Sequence, residues 1–417
     1  MKILWCHEVS YLDKPVYEYQ DFAERLAGRG HAVEVIDFSE TRATPPGTQR
    51  VSRTGEGEIS LTPIPHGNLP VFKFFEARAR FHRMLSSRLR QGDIDAVFVY
   101  SVFVNGTQAI RLARRHGVPA VYRVLDAYHQ LRPDRASQAI LRAGERYIYR
   151  NADHVLVTNE KMGDYVHALA GRAVPASVLD HGVDCAHFSP RVPDAGLMQR
   201  YGLHDSDEVV VFLGTTYAFS GLIELVRRMP GIVQRRPKAK LLIVGGGELD
   251  DALAAEVNAL ALQSRVILTG MVSYQDVPRY LSLGGVAVNP FEINDITRDI
   301  IPIKILQYQA CGLPVLSTPL PDVVRKHDDV RSGVRYSATD APDAFVEALV
   351  DMLDHPGVTA EQGRRGRRFM EQAFSVDVAI DHLEATFTTL AAARRRGGGG
   401  RFRRVCARPS GSRRTCS

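Results

Sequence analysis

The sequence has few of the features that mark secreted, membrane-spanning or metal-stapled proteins. Its 417 residues include only five cysteines, and an odd number without close pairing suits a reducing compartment. No Cys-x-x-Cys pair or Cys/His cluster is present, which argues against structural zinc. No apolar run reaches the roughly 18–20 residues of a membrane span, and the N-terminus turns polar too early for a signal peptide. We therefore expect a cytoplasmic protein.

The C-terminal end of the chain is rich in arginine and has no acidic residue. The whole chain has 53 Lys and Arg against 47 Asp and Glu, a net charge of +6. Residues 391–417 hold nine of those arginines and no acid, so the rest of the chain is mildly acidic at −3. The overall basicity is therefore no evidence for a specific nucleic-acid partner.

Short apolar runs alternate with amphipathic stretches in two successive series. Strands are expected at Ile3–Trp5, Ala32–Ile36, Ala96–Tyr100, Ala120–Val124, Val155–Val157 and Ser177–Leu179, and again at Val209–Leu213, Lys240–Val244, Arg265–Thr269, Val286–Asn289, Val315–Ser317 and Gly333–Tyr336. Strands that alternate with helices predict a parallel sheet covered on both faces. The sequence thus predicts an α/β protein of two doubly wound, Rossmann-like domains whose parallel sheets face a central cleft.

The expected domain boundaries follow turn-rich segments. Residues 1–185 form the first Rossmann-like domain and residues 186–374 the second. A helix at 375–392 is expected to pack back toward the first domain, and the Arg- and Gly-rich segment 393–417 is expected to be disordered. Residues 39–70 are rich in Pro and Gly, and we predict one long loop there.

The segment Asn289–Pro319 carries the most chemistry. It predicts a strand, a polar loop, a helix, a Gly-Pro break and a second strand. Pro302 suits the first helical turn, so the backbone amides at Ile300 and Ile301 are expected to form an anion site. Lys304 adds a mobile point charge suited to phosphate.

This segment resembles the donor-binding signature of retaining GT-B glycosyltransferases of family 4, the group 1 glycosyltransferases. That family carries a Glu-x7-Glu pair, often within Lys-x-x-Glu-Tyr-x-Ala-x-Gly-x-Pro-Val. Here the run is Lys304-Ile-Leu-Gln-Tyr-Gln-Ala-Cys-Gly-Leu-Pro-Val315, and the pair is Asp299-x7-Gln307. The resemblance implies that Asp299 contacts the donor sugar and that Gln307 holds the ribose hydroxyls. Gln307 can still hydrogen-bond a diol, without charge assistance.

Further segments resemble the family in order along the chain. They are Arg29-Gly-His-Ala-Val33, Asp180-His-Gly-Val-Asp-Cys-Ala-His-Phe188, Phe212-Leu-Gly214 followed by Ser220-Gly221, Gly245-Gly246-Gly247-Glu248, and Gly270-Met271-Val272. The resemblance implies a GT-B fold in which the second domain binds the nucleotide sugar. Its donor-binding residues are then Gly214, Thr215, Gly246, Gly270, Met271, Val272, Arg298, Ile300, Ile301, Lys304 and Gln307.

The sequence departs from the family in the loop after Gly214. The family places an Arg and a Lys there to grip the diphosphate, whereas this chain has Thr215 and Ser220. The diphosphate therefore needs other cations, and Arg298 and Lys304 are the local candidates.

The first domain is expected to hold the acceptor. The family often has a His-Asp pair after the strand that here ends at Val124; Leu125 takes the His position and Asp126 matches the acid. His129 follows one turn later, and either Asp126 or His129 can polarise an acceptor hydroxyl. The candidate catalytic residues are thus Asp126, His129 and Asp299. In the loop after the first strand, His7 and Tyr11 are candidates for lining the acceptor site or cleft.

The stretch Phe72–Arg90 is a predicted basic helix with aromatic residues. It can lie on an anionic membrane surface, or it can be a core helix whose basic face is solvated, and both interpretations remain open. In the first case the protein is peripheral at the inner face of the membrane.

The leading hypothesis is a glycosyltransferase that moves a sugar from a nucleotide donor to an acceptor hydroxyl of a glycan, lipid or small molecule, with retention. We expect no cofactor beyond the nucleotide sugar and no metal requirement. The alternatives are a GT-B sugar-nucleotide epimerase or hydrolase, and a catalytically silent sugar-nucleotide-binding or scaffold protein. Thr215, Ser220 and Gln307 favour the silent protein modestly.

Overall fold

The protein is described by a computed structural model that covers residues 1–13, 18–39, 47–65, 73–100, 105–180, 182–298 and 300–396, without the side chains at 39, 73 and 74. The predicted donor contact Asp299 lies outside these residues. The chain forms two compact units, Met1–His181 with Ala379–Ser417, and Gly182–Val378.

Strands and helices alternate along the described chain. The strands are β1 (Lys2–Cys6), β2 (Ala32–Ser39), β3 (Gln49–Val51), β4 (Ile59–Pro65), β5 (Ala96–Val99), β6 (Ala120–Arg123), β7 (His154–Val157), β8 (Ala176–Val178), β9 (Glu208–Leu213), β10 (Ala239–Val244), β11 (Val266–Leu268), β12 (Val286–Asn289), β13 (Val315–Ser317) and β14 (Val334–Tyr336). The helices are α1 (Glu18–Gly28), α2 (Lys73–Arg90), α3 (Gly106–Arg115), α4 (Arg135–Asn151), α5 (Glu160–Ala170), α6 (Ala195–Arg200), α7 (Leu222–Arg235), α8 (Asp250–Ala259), α9 (Val277–Leu281), α10 (Ile303–Ala310), α11 (Pro321–Lys326), α12 (Asp329–Ser332), α13 (Pro342–Asp354), α14 (Pro356–Phe369) and α15 (Val376–Arg396).

In the first unit, the described strands form one sheet in the order β3-β4-β2-β1-β5-β6-β7-β8. The pairs are parallel except β3 with β4, which is antiparallel. The central strand β5 is buried throughout, as expected for a strand covered on both faces. The strand order reverses between β1 and β5, and parallel α/β sheets bind ligands at the carboxyl ends of strands beside such a reversal.

The second unit repeats this arrangement with a purely parallel sheet. Its described strands run in the order β11-β10-β9-β12-β13-β14, and the order reverses between β9 and β12. Strand β10 is buried along its whole length, and the strands share one hydrophobic core with the surrounding helices. The predicted α/β class with two doubly wound sheets is therefore confirmed.

The prediction of one long loop at 39–70 is wrong, because this stretch contains two strands. Residues 49–51 and 59–65 form β3 and β4, and β4 pairs in parallel with β2. Ile59 and Leu61 are buried while Ser60 and Thr62 are partly exposed, so the alternation typical of a strand is present. Prolines and glycines masked that pattern. Pro63 lies beyond Ile59–Leu61, the part of β4 that the described β3 pairs with.

The C-terminal helix is longer than predicted. The expected tail begins at 393, but α15 continues to Arg396 because alanines and arginines favour helix. The arginine at 394 donates from Nη1 to the carbonyl oxygen of Ile94 at 3.1 Å. Earlier in α15, Glu384 Oε1 lies 2.9 Å from Nε2 of His31. Residues 397–417, for which disorder was predicted, lie outside the described part of the chain.

Asp37, at the end of β2, should make the first unit more stable at low pH. Burial raises its pKa from 3.8 to about 7; Oδ2 accepts from the Tyr11 amide at 2.5 Å, while Oδ1 has no partner among the described residues. The raised pKa means that its stabilising contribution is complete below pH 3.8 and is lost as the pH rises through about 7.

The variant Asp37→Asn should remove this loss. At pH 8 we expect the free energy of unfolding of this variant to exceed that of the wild type by at most about 4 kcal/mol. At pH 4 we expect little difference between the two proteins. Chemical unfolding at both pH values measures this, and Asp205→Asn, at an exposed site, is the control. A difference that does not change with pH would contradict the account.

Candidate functional site

One candidate site lies at the carboxyl edge of the sheet in the second unit. Strand β9 ends at Leu213 and β12 at Asn289, the two strands between which the order reverses. Helix α10 begins at Ile303 and places Lys304 in its first turn. The Lys304 ammonium reaches back to this reversal, where its Nζ lies 3.8 Å from the ring centre of Phe212 and 4.2 Å from that of Phe291.

Lys304 is a buried cation without a counter-charge among the described residues. The residue is only 7% exposed, and Nζ has no hydrogen-bond partner among the described residues. Burial holds the pKa of Lys304 well below its usual range. The two aromatic faces attract the ammonium but cannot replace the hydrogen bonds that it loses from water. A buried, unpaired ammonium of this kind is suited to binding an anion.

Glycines bring backbone close to this ammonium. A Cβ on Gly214 would lie 3.3 Å from both Cε and Nζ of Lys304, so only a residue without a side chain leaves that space open. Gly245 follows β10, and a Cβ there would lie 2.1 Å from the Gly214 carbonyl oxygen. Both glycines have positive φ, at +122° and +134°, a region that other residues rarely adopt.

Asp250 fastens the two glycine loops to each other. Its Oδ1 accepts from the Gly247 amide at 2.8 Å and from the Thr216 hydroxyl at 2.7 Å. A Cβ on Gly246 would lie 2.7 Å from Oδ2 of the same carboxylate. The loops after β9 and β10 are therefore held in one arrangement beside Lys304.

The other residues predicted for the donor site differ in how far they are buried. Thr215 is half-buried against Gly247, and the buried Ser220 hydroxyl has no partner among the described residues. Gln307 is buried in α10 one turn after Lys304. Arg298 is exposed and lies 3.5 Å from Asp295, so its charge is already partly satisfied.

One prediction at this edge needs correction. Helix α10 starts after Pro302, so the first-turn amides belong to Ile303 and Lys304 and not to Ile300 and Ile301. Pro302 is instead the capping residue before the helix, with a non-helical ψ of 122°.

The segment predicted to frame the nucleotide base follows β11. Gly270 has a positive φ of +70°, and its carbonyl accepts from the Gly245 amide at 3.1 Å. Met271 is largely exposed, whereas Val272 packs against the core. The segment is thus tied to the glycine loop after β10.

At the carboxyl edge of the first unit, His7 and Tyr11 are more enclosed than the sequence suggested. His7 is buried; its Nδ1 accepts from the Val9 amide at 2.7 Å, and its ring stacks on Tyr19 at 4.1 Å. Burial lowers the pKa of His7 to about 3, so the ring is neutral near pH 7. Tyr11 is fully buried and donates to Glu24 at 2.8 Å. The structure therefore gives Tyr11 a packing role and no surface for a ligand.

The predicted catalytic pair follows β6 at the same edge. Asp126 is exposed, and His129 lies in a short 3₁₀ turn, Tyr128–Leu131. The Nδ1 atom of His129 lies 2.7 Å from Oε2 of Glu145 in α4 and 3.0 Å from the Tyr165 hydroxyl in α5.

Sequence reasoning missed the residues that support both sites. Phe212 and Phe291 are 79 positions apart and are brought together only by the order of the strands. Glu145 stands in an amphipathic helix where a glutamate is ordinarily solvated. Its spacing from Leu141 and Ile148 on the buried face was the one available signal.

The described residues include neither a metal-ligand cluster nor a membrane-spanning helix. No group of three or more His, Cys, Asp or Glu side chains lies close enough to hold a metal ion. None of the described helices combines the length and apolarity needed to cross a membrane.

Each unit of the chain matches the sequence model of a known protein family. The family described as "Glycosyl transferase 4-like domain" matches residues 18–182, and "Glycosyl transferases group 1" matches residues 207–355. The fold and these matches define a GT-B glycosyltransferase. The chain belongs to the group 1, family 4 type of these enzymes.

Curated relatives agree with that assignment. The chain is 29% identical over 268 residues to a GDP-mannose-dependent alpha-(1-6)-phosphatidylinositol monomannoside mannosyltransferase of Mycolicibacterium smegmatis, covering 62% of this chain and 67% of that protein. It is 23% identical over 386 residues to the alpha-D-kanosaminyltransferase of Streptomyces kanamyceticus, covering 87% and 96%.

Solved structures support the fold. Sucrose-phosphate synthase from Thermosynechococcus elongatus superposes with a TM-score of 0.66 at 17% identity, over 94% of this chain and 99% of that one. Anabaena HepE in complex with UDP gives 0.67 at 16% identity, over 93% and 100%.

Proposed function

We propose that the protein transfers a sugar from a nucleotide-sugar donor to an acceptor hydroxyl, with retention of the anomeric configuration. The observation that carries this proposal is the buried ammonium of Lys304, which has no hydrogen-bond partner in the described part of the chain and lies beside Gly214 where the strand order of the second unit reverses. This is where parallel α/β sheets bind ligands, and the ammonium is suited to the negatively charged diphosphate of a nucleotide sugar.

In this proposal the second unit stabilises the leaving group. Negative charge builds on the phosphate oxygen as the bond to the anomeric carbon breaks. Lys304 and the first-turn amides of α10 are fixed donors that would meet this charge without reorganising. The carbonyl and amide groups near Gly270 and Val272 would frame the base, and Gln307 would hold the ribose. Because Lys304 supplies the positive charge, we expect transfer to persist in EDTA.

The first unit would bind the acceptor. The Mycolicibacterium relative is named for a phosphatidylinositol monomannoside, so a polyol headgroup on a lipid is the acceptor class that we favour. The Streptomyces relative is named for kanosaminyl transfer, which keeps a small-molecule acceptor as the second class to screen.

A thermal-shift screen of nucleotide sugars tests the donor proposal. At a ligand concentration of 100 Kd, binding should stabilise the protein by about 2.7 kcal/mol, and the free nucleoside diphosphate should bind at the same site. A wild-type protein that no nucleotide stabilises would remove the basis of the proposal. Binding without transfer across an acceptor panel would favour the silent binding protein, and conversion of the donor alone would favour the epimerase or hydrolase.

We also propose that helix α2 contacts an anionic membrane surface, with fewer residues than the sequence suggested. Phe81 and Leu85 are buried in the core and cannot reach a membrane. Arg88 is engaged by Glu34 at 2.8 Å. Phe75 remains 71% exposed, and Arg83 and Arg90 are also exposed. Phe72 lies outside the described residues.

Reversing the exposed charges of α2 should weaken binding to anionic vesicles. We expect Arg83→Glu with Arg90→Glu to weaken the free energy of binding to phosphatidylserine-containing liposomes by roughly 1 kcal/mol per residue. Co-sedimentation measures this loss. The matched control is Arg200→Glu with Lys238→Glu, two exposed cations of the second unit. Equal loss in both double variants would show a net-charge effect and refute the α2 surface.

A further inference from the structure

The Nδ1 atom of His129 contacts a buried carboxylate and a tyrosine hydroxyl. Glu145 is fully buried, and its Oε2 accepts from the Tyr165 hydroxyl at 2.9 Å and faces His129 Nδ1 at 2.7 Å. The rings of His129 and Tyr165 are nearly parallel, 17° apart. An oxygen that only accepts requires the proton of the neutral imidazole to sit on Nδ1, which leaves the lone pair on Nε2.

The other ring nitrogen of His129 has no hydrogen-bond partner among the described residues. The His129 side chain is 15% exposed, and no described residue hydrogen-bonds its Nε2. The turn that carries His129 follows β6, at the carboxyl edge of the sheet where β1 and β5 mark the reversal of strand order. A ligand at this edge can therefore reach a nitrogen whose tautomer is already fixed.

Holding Glu145 in this place destabilises the first unit. Its second oxygen, Oε1, is buried without a partner among the described residues, and such an oxygen costs about 1–3 kcal/mol, more when charged. An apolar residue on this face of α4 would pack without that cost. The arrangement is thus poorly explained by stability, whereas orienting a histidine is a function for which a buried carboxylate is suited.

We propose that His129 is the catalytic residue that binds the acceptor hydroxyl through Nε2, and that Glu145 and Tyr165 are its positioning residues. This inference rests on the proposed function. The acceptor oxygen forms a bond to the anomeric carbon on the same face from which the bond to the phosphate oxygen breaks, so the configuration is retained, and the bonding pair leaves with the nucleoside diphosphate. The hydroxyl proton passes to Nε2, and the imidazolium is stabilised by Glu145 before it returns the proton to solvent. Leu125, at the position where the related enzymes often have histidine, cannot take this role.

Three variants separate these roles. His129→Gln should lower kcat for transfer by about 10²–10⁴-fold. Glu145→Gln, which can present an amide to Nδ1 and allow the wrong tautomer, should lower it by about 10–100-fold, and Tyr165→Phe by less. None should change the thermal shift that the nucleotide sugar produces. His204→Gln and Tyr147→Phe are the controls and should leave kcat unchanged.

Imidazole rescue distinguishes positioning from folding. Added imidazole should restore part of the activity of His129→Gly, but not of His129→Gly combined with Glu145→Gln, because the second protein cannot orient the free base. Full activity in His129→Gln, or equal rescue of both proteins, would overturn the inference. If no nucleotide stabilises the wild type, it is the proposed function that fails.

The tautomer can be tested without any substrate. The ¹⁵N shifts of the full-length protein, with His129 assigned by comparison with His129→Gln, should show the neutral ring protonated at Nδ1. Glu145→Gln should shift this ring toward protonation at Nε2. A wild-type ring already protonated at Nε2 would overturn the inference whether or not transfer is observed.

Discussion

Lys304→Met is expected to stabilise the empty protein and to weaken donor binding strongly. Methionine has a similar volume and needs no hydrogen bonds, so removing the buried, unpaired ammonium should raise the unfolding free energy of the second unit by about 1–3 kcal/mol. A nucleotide sugar that pairs with this ammonium in a desolvated site should lose at least about 100-fold in affinity. Thermal shift with and without ligand measures both effects.

Lys240→Met is the matched control in the same unit. Lys240 is also buried, but its Nζ contacts Asp207 at 2.9 Å and the Gly202 carbonyl at 2.7 Å. This variant should be less stable than the wild type and should bind the donor normally. Normal donor affinity in Lys304→Met would refute the phosphate role of Lys304.

Arg123→Met should destabilise the first unit by about 3–5 kcal/mol, because it leaves a buried carboxylate without its cation. Arg123 is fully buried, and its Nε and Nη2 donate to the two oxygens of Glu18 at 2.8 Å each. Its Nη1 donates to the Val157 carbonyl at 3.0 Å, and Tyr100 also donates to Glu18 at 3.0 Å. The pair thus joins the start of α1 to the ends of β5, β6 and β7.

The comparison for Arg123 is an exposed pair of the same unit. Arg50 and Glu58 lie 3.0 Å apart with both side chains largely exposed, so Arg50→Met should change stability by no more than about 1 kcal/mol. Calorimetry of both variants measures the difference. If Arg123→Met unfolds like Arg50→Met, the buried pair does not stabilise the first unit.

The sequence predicted elements best where local signals were strong. The limits of Glu160–Ala170 are confirmed because Asn159 caps the helix through the Met162 amide and Gly171 ends it at a φ of +65°. The strand Val286–Asn289 is confirmed as well, since it is short, apolar and central. The β4 strand was missed because Pro63 and Pro65 signal a loop, while its pairing with β2 is a tertiary contact.

The candidate sites were less accessible to sequence reasoning. Lys304 was identified from its position at the start of a predicted helix, but the motif does not reveal that its ammonium contacts the rings of Phe212 and Phe291 and has no hydrogen-bond partner among the described residues. Tyr11 follows the first strand in a stretch predicted to be a loop. The sequence does not show that its side chain is buried and donates a hydrogen bond to Glu24. His129 was identified from its place after a strand, while its support by Glu145 depends on how α4 packs.

Transfer by the purified full chain tests the central claim most directly. The nucleotide sugar that gives the largest thermal shift would be incubated with a panel of polyol lipids and small-molecule acceptors, and the product linkage determined by NMR. The account predicts a new glycosidic bond with the anomeric configuration of the donor, formed by the wild type and lost in Lys304→Met. A product with inverted configuration, or one formed equally well by Lys304→Met, would contradict it.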